Sequence, residues 1–254
     1  MSTNKILNDI NLSAKPYVIY KTSNGFDLFT DFSKKIILSN NNVTNFLETI
    51  SSNKKKIKKT DLYIGFFGYE LLNYLIGIKF PKQKTNFFPK GIFYKPETLI
   101  SLSENLSFKA PPSEKKNKQF KINIDRKNYT RIFNKFKRKI KQGETYQIKI
   151  CTKYKNKSKI DPLDFFCRLS KSNLATEAFL IKDKNYSVIS CSPETLIEKK
   201  GRSIITKPIA GTLKKNTSLN KSKALQYFRK NIKETKEHNM IVDMERSDLS
   251  RICI

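Results

Sequence analysis

Apolar and polar residues alternate in several different rhythms along this chain, and each rhythm predicts an element. Short apolar runs at 17–20 and 26–29 flank Ser23-Asn24-Gly25, the composition of a tight turn between two strands. A further run at 36–38 reads as another strand, and 43–50 as a short helix. The first third therefore reads as strands joined by polar turns. Lysine-rich loops are expected at Lys54-Lys55-Lys56, within a loop over 51–59, and at Lys115-Lys116. Tyr63-Ile64-Gly65-Phe66-Phe67-Gly68-Tyr69-Glu70 leads into Leu71, Leu72, Leu75 and Ile76 at helical spacing. Its glycines predict close backbone approach where a strand gives way to that helix.

A polar stretch over 108–124 reads as the main internal boundary, dividing an N-terminal region (1–110) from a second one (120–254). Beyond it Tyr129, Ile132, Phe133, Phe136 and Ile140 share one face of a helix that Gly143 stops. Tyr146, Ile148 and Ile150 then alternate with polar neighbours, the period of a half-buried strand. A helix is expected over 162–169. A hairpin over 178–181 and 186–191 turns at Lys182-Asp183-Lys184-Asn185, and a second over 195–198 and 203–207 turns at Lys199-Lys200-Gly201-Arg202. A final helix begins near Lys221 and runs through Leu225, Phe228, Ile232, Met240, Ile241, Met244 and Leu249. The predicted class is α+β, antiparallel sheets with packed helices.

Composition narrows the function. With 38% hydrophobic residues, including 18 Phe and 11 Tyr, a real core can form. No apolar stretch is long enough to span a membrane, and the N-terminus lacks a signal-peptide pattern, so a cytoplasmic protein is expected. Cys151, Cys167, Cys191 and Cys253 are widely spaced and read as reduced, structural thiols. The net charge of +29 suggests nucleic acid, but only 8 of the 51 basic residues are Arg, the side chain suited to bidentate phosphate and base recognition. The charge reads as a solvated lysine surface, whose field would also draw in an anionic substrate.

Three polar signatures near the C-terminal end carry the candidate chemistry: Ser192-Pro193-Glu194, Pro208-Ile209-Ala210-Gly211-Thr212, and Lys233-Glu234-Thr235-Lys236-Glu237-His238. Glu234 and Glu237 share a helix face and suit a hard divalent cation, or equally a charged face paired with Lys230 and Lys233. His238, the only histidine, is either structural or a participant. Glu194 is either a turn cap or, partly buried in a cleft, a general acid. Gly211 permits close backbone approach, and Thr212 offers a hydroxyl and an N–H to an anion.

Together with Gly143-Glu144-Thr145-Tyr146-Gln147-Ile148 and the run from Glu237-His238 through Met240-Ile241-Val242-Asp243 to Arg246, Asp248-Leu249 and Arg251, these signatures resemble the chorismate-utilising enzymes. The match is to the synthase subunits of anthranilate synthase and aminodeoxychorismate synthase. It is co-linear over about residues 125–253, with weaker similarity around Gly65-Phe66-Phe67-Gly68-Tyr69. The resemblance implies a two-layered sheet-and-helix fold and Mg²⁺-dependent chemistry on chorismate: ammonia adds to the ring, a hydroxyl leaves and pyruvate is eliminated. Glu194 resembles the acid for the leaving hydroxyl, and Glu234 with Glu237 the carboxylates holding Mg²⁺. His238 would orient the metal-side carboxylate. Gln147, Ile209, Ala210, Gly211 and Thr212 would line the substrate pocket, Thr212 also serving catalysis. A glutamine amidotransferase subunit delivering ammonia is the implied partner.

Some positions discriminate within the family. Isochorismate and salicylate synthases carry a lysine base where Gln147 stands, and many aminodeoxychorismate synthases a lysine nucleophile where Ala210 stands. Ala210 and His238 favour the anthranilate type. Aminodeoxychorismate synthesis is the alternative, followed by an inactive remnant or a basic binding protein. No Leu-Leu-Glu-Ser segment like that of the tryptophan feedback site is present, and Ser247 replaces the usual Asn. Family members continue well past the position of Ile254, supplying further carboxylates for the metal. The 254-residue chain is therefore expected to have an incomplete Mg²⁺ site, little activity alone, and poor solubility from uncovered apolar surface.

Overall fold

The computed structural model describes residues 2–52, 58–77, 88–110, 119–173, 175–214 and 216–253. The lysine-rich segments at Lys54-Lys55-Lys56 and Lys115-Lys116 lie outside the described residues. Two compact units emerge, one formed by Met1–Phe108 with Pro162–Ile254, the other by Lys109–Asp161.

The larger unit is built on a six-stranded antiparallel sheet. In chain order it contains α1 (Thr3–Leu12), β1 (Tyr17–Thr22), β2 (Gly25–Ile37), α2 (Val43–Ser52), β3 (Ile64–Phe67), a 3-10 turn (Tyr69–Leu71) leading into α3 (Leu72–Leu75), and β4 (Gly91–Leu102). The chain re-enters it through α5 (Pro162–Ser172), β7 (Glu177–Lys182) and β8 (Ser187–Ser192). The strand order is β3-β4-β2-β1-β7-β8. A separate hairpin, β9 (Glu198–Lys200) with β10 (Ser203–Ile205), precedes α6 (Lys221–Lys230) and α7 (Ile232–Ser250).

Period-two alternation sorts the core. Tyr17 and Ile19 of β1, with Ala178 and Leu180 of β7, face α1 and α5, where Leu7, Leu163, Phe166 and Cys167 are buried. Val18 and Ile181 point the other way and pack with Phe29, Ile92 and Tyr94. α2 caps a third cluster, Val43 and Phe46 against Leu38, Leu71 and Phe93. Burying each such side chain contributes about 1.5–3 kcal/mol, so these clusters, and not helix propensity, hold the unit together.

The β1–β2 turn, α2, α5 and the β7–β8 hairpin form where expected; the second late hairpin also forms, but its first strand is Glu198–Lys200, so Lys199 and Lys200 pair with Ile204 and Ser203 and the turn shortens to Gly201-Arg202. The close approach at the glycines forms as well. A Cβ on Gly65 would stand 1.9 Å from the Ile92 carbonyl oxygen, and one on Gly68 would stand 2.3 Å from that of Lys90. Several expectations are corrected. The run at 36–38 is not a separate strand but the end of β2, which continues through an irregularity between Phe32 and Lys34 opposite Pro96. Proline lacks a ladder donor and is tolerated at such a bulge. The first third is not all strand: Ile6, Leu7 and Ile10 form the packed face of α1. β4 is a long strand with no counterpart in the sequence reading.

In the smaller unit, α4 (Arg126–Lys141) starts at Asp125, whose side chain accepts the Asn128 N–H, and ends before Gly143 at φ +75°. The strand expected at 146–151 is absent. Alternation supplies only a period; a strand also needs a partner edge, and here the only ladder pairs β5 (Lys121–Ile122) with β6 (Tyr154–Lys155) among the described residues. No helix among the described residues is long and apolar enough to cross a membrane. No disulfide links the four cysteines, and Cys167 lies in the core.

Candidate active site

The expected continuous last helix is two helices, and the break between them shapes the site. At Asn231 the backbone leaves the helical region (ψ 94°) while its N–H still bonds the Tyr227 and Phe228 carbonyls, closing α6. The Asn231 side chain then accepts the Glu234 N–H at 3.3 Å and opens α7. Thr235 donates its hydroxyl back to the Phe228 carbonyl at 2.8 Å. Asn231-Ile232-Lys233-Glu234 is a helix-start signature, a capping residue followed three positions later by Glu. In the usual form the Glu bonds the cap N–H. Here that N–H is already taken by α6, which leaves the Glu234 carboxylate free to point elsewhere.

It points at Gly211. A Cβ on Gly211 would lie 2.6 Å from Glu234 Oε2 and 2.8 Å from the Phe228 ring, and Gly211 has φ +82°. Both the conformation and the contact require glycine there. Two residues earlier, the Ile209 N–H donates to Glu194 Oε1 at 3.1 Å. Glu194 is itself held by a local turn in which its N–H donates to the Ser192 hydroxyl (3.3 Å) and that hydroxyl donates to the Glu194 carbonyl (3.1 Å). The three signatures, widely separated in sequence, thus meet around one five-residue segment.

Around this meeting point, Glu194, Ala210, Gly211, Glu234 and Glu237 are half-buried, whereas Ile209, Thr212 and His238 are exposed. Glu237 lies three residues after Glu234, one turn along α7, and Lys233 stands 4.0 Å from Glu234. Gln147 lies in the Lys109–Asp161 unit, exposed, in an irregular segment where the Thr145 hydroxyl donates to its carbonyl at 3.2 Å.

Further residues, absent from the sequence reading, brace the site. Glu177 on β7 accepts the Thr195 hydroxyl (2.7 Å) and the Tyr20 hydroxyl (2.5 Å), while Thr176 donates to the Pro193 carbonyl at 2.6 Å. The segment carrying Glu194 is thereby tied to the middle of the sheet. Burial, and next the bond to Glu177, push the Tyr20 phenol well above its ordinary value. On α7, Glu245 Oε2 lies 2.5 Å from the Thr206 hydroxyl. A Glu in a lysine-rich chain reads as surface charge, so neither carboxylate stands out by type.

A hard cation such as Mg²⁺ takes one or two protein carboxylates and fills its remaining positions with water and substrate oxygens. Glu234 and Glu237 suit that habit: they are adjacent on one helix face and half-buried. Among the described residues no cluster of three or more potential ligands accompanies them.

Residues 14–254 match the chorismate binding enzyme family, and the chain belongs to it. Anthranilate synthase component 1 of Buchnera aphidicola subsp. Rhopalosiphum maidis is 30% identical over 252 residues, covering 82% of this chain and 48% of that protein. The anthranilate synthase component I-like protein of Synechocystis is 29% identical over 217 residues, covering 75% and 45% respectively. The crystal structure of anthranilate synthase component I from Streptococcus pneumoniae superposes with a TM-score of 0.71 at 20% identity, covering 92% of this chain and 62% of that one. The α+β fold of antiparallel sheets and packed helices is therefore shared with that protein. The chain spans about half the length of the curated relatives it matches.

Proposed function

We propose that this chain forms part of the site for Mg²⁺-dependent amination of chorismate with loss of pyruvate, giving anthranilate. The supporting observation is the convergence of Glu194, Ile209, Gly211 and Glu234 at one place. Mg²⁺ bound by Glu234 and Glu237 would neutralise a substrate carboxylate and help the hydroxyl depart. Glu194 Oε1 accepts the Ile209 N–H, which leaves Oε2 to carry the proton delivered to that hydroxyl. Ala210 presents no more than a methyl to the substrate ring, and Thr212 presents its hydroxyl and N–H to a carboxylate. His238 orients the metal-side carboxylate once a ligand covers it. Ammonia comes from a glutamine amidotransferase partner. Similarity to anthranilate synthase component 1, with Ala210 where a lysine nucleophile would serve aminodeoxychorismate synthesis, favours this product.

Because the chain spans about half of its relatives, binding is the decisive measurement. Calorimetric titration of chorismate in the presence of Mg²⁺ should show saturable binding. Glu234→Gln and Glu237→Gln should each weaken it at least about tenfold, as removal of a metal-supporting carboxylate does. Glu194→Gln should leave affinity within about threefold, since an acid acting only in the transition state contributes little to ground-state binding. Absence of any chorismate binding by the folded chain would sink this reading.

A further inference from the structure

We infer that Glu245 is a positioning residue that, through Thr206, anchors the 206–211 segment beside α7 and so sets where Ile209 and Gly211 stand. Its relevance to substrate rests on the chorismate reading above; the placement itself does not. The half-buried residues Glu234, Glu237, Ile241, Glu245 and Leu249 recur every three or four positions, one stripe of α7, while Asp243, Met244, Arg246, Ser247 and Asp248 are exposed. The other acidic residues of this half of the helix pair with its own arginines: Asp243 with Arg246 at 3.0 Å and Asp248 with Arg251 at 4.0 Å. Glu245 instead leaves the helix and meets Thr206, whose hydroxyl also lies 2.9 Å from the Leu196 carbonyl of the preceding hairpin.

Glu234 and Glu245 are separated by about 16 Å of helix. Thr206 and Gly211, which touch them, are separated by about 16–18 Å of fully extended chain. Held at these two points, the segment runs beside α7 in the opposite direction, and Pro208 helps by holding Lys207 extended. Between the end at Glu245 and the end against Glu234, the Ile209 N–H donates to Glu194. Slack at the Thr206 end would reach both the Ile209 bond and the Gly211 contact.

The test uses the whole chain labelled with ¹⁵N, read at the Ile209 and Gly211 amide resonances and by chorismate affinity. Glu245→Ala and Thr206→Val should each displace both resonances, which lie three and five residues from Thr206 and more than thirty residues from Glu245 along the chain. Chorismate affinity should fall about tenfold in each, the lower end of the effect of removing a group that orients a ligand-holding residue. The double variant should be no worse than either single one, since both remove the same contact. Glu245→Gln and Thr206→Ser, which keep a partner and a hydroxyl, should restore the native resonances and also serve if the harsher variants fail to fold. Amide changes confined to the neighbourhood of residue 245, or additive losses in the double variant, would overturn the inference. If the native chain binds no chorismate, the functional reading fails, yet the Ile209 and Gly211 resonances still decide the placement.

Discussion

Gly211 occupies the tightest point of the site, with Glu234 and Phe228 on its open side and a left-handed backbone. Gly211→Ala should cost about 1–2 kcal/mol from the conformation alone, and its methyl would push Glu234 away. The expected result is a lowered urea midpoint with chorismate binding lost more completely than stability; unchanged binding would show that the segment is not at the substrate. At this scale the sequence was informative where residue type is restrictive. Glu194, Gly211 and Glu234 were legible because a proline-flanked Glu, a Gly after a rigid turn and a Glu-x-x-Glu pair are uncommon arrangements. Glu177 and Glu245 were not, because a carboxylate on a strand or helix reveals its purpose only through what lies opposite it: Thr195 and Tyr20 for one, Thr206 for the other.

The break at Asn231 is the element that matters most to the site. A continuous helix would place residue 234 by the phase of α6, whereas the break restarts the helix with Glu234 in its first turn, where the exposed N–H groups favour a negative charge. Asn231→Ala removes the cap and should cost about 1 kcal/mol. It should also shift the Gly211 amide resonance, whereas Asn231→Asp, which retains a capping oxygen, should leave both nearly native. Helical periodicity runs through the break, since Phe228 and Ile232 are spaced as in one helix, and this hid it. The Asn-x-x-Glu start signal was present in the sequence and is the stronger indicator. The absent strand at 146–151 teaches the complementary lesson: α4 was readable from its own residues and its Asp125 cap, but a strand depends on a neighbour that no local pattern names.

Across the molecule the larger unit is fastened by one buried carboxylate. Asp183, at the β7–β8 turn and 6% exposed, accepts from Lys35 of β2 (2.7 Å), from the Tyr94 hydroxyl of β4 and from the Lys184 N–H (2.6 Å). Burial alone would raise its carboxyl, but these hydrogen bonds and the Lys35 charge outweigh that and hold it below the usual value. A depressed folded value means the contribution is present above the ordinary carboxylate range, near pH 4, and disappears as pH falls through the lower folded value. Asp183→Asn should therefore destabilise the unit by about 2 kcal/mol at neutral pH. It should also flatten the loss of stability on acidification below about pH 4, as followed by urea unfolding across pH. An unchanged acid limb would show that other carboxylates dominate. The net charge of +29 does not enter this balance locally, because the turn's partners are a single lysine, a phenol and an amide.

By itself the sequence determined the family, the α+β class, most of the helices and both late hairpins. Each of these is encoded locally, in periodicity, turn chemistry or an ordered motif. Only the tertiary structure decided that β4 and α1 complete the sheet and its cover, that α6 and α7 are separate, and that the three signatures meet at one segment. Those outcomes depend on pairing and packing between residues distant along the chain, whose free energy appears only when the partner is in place.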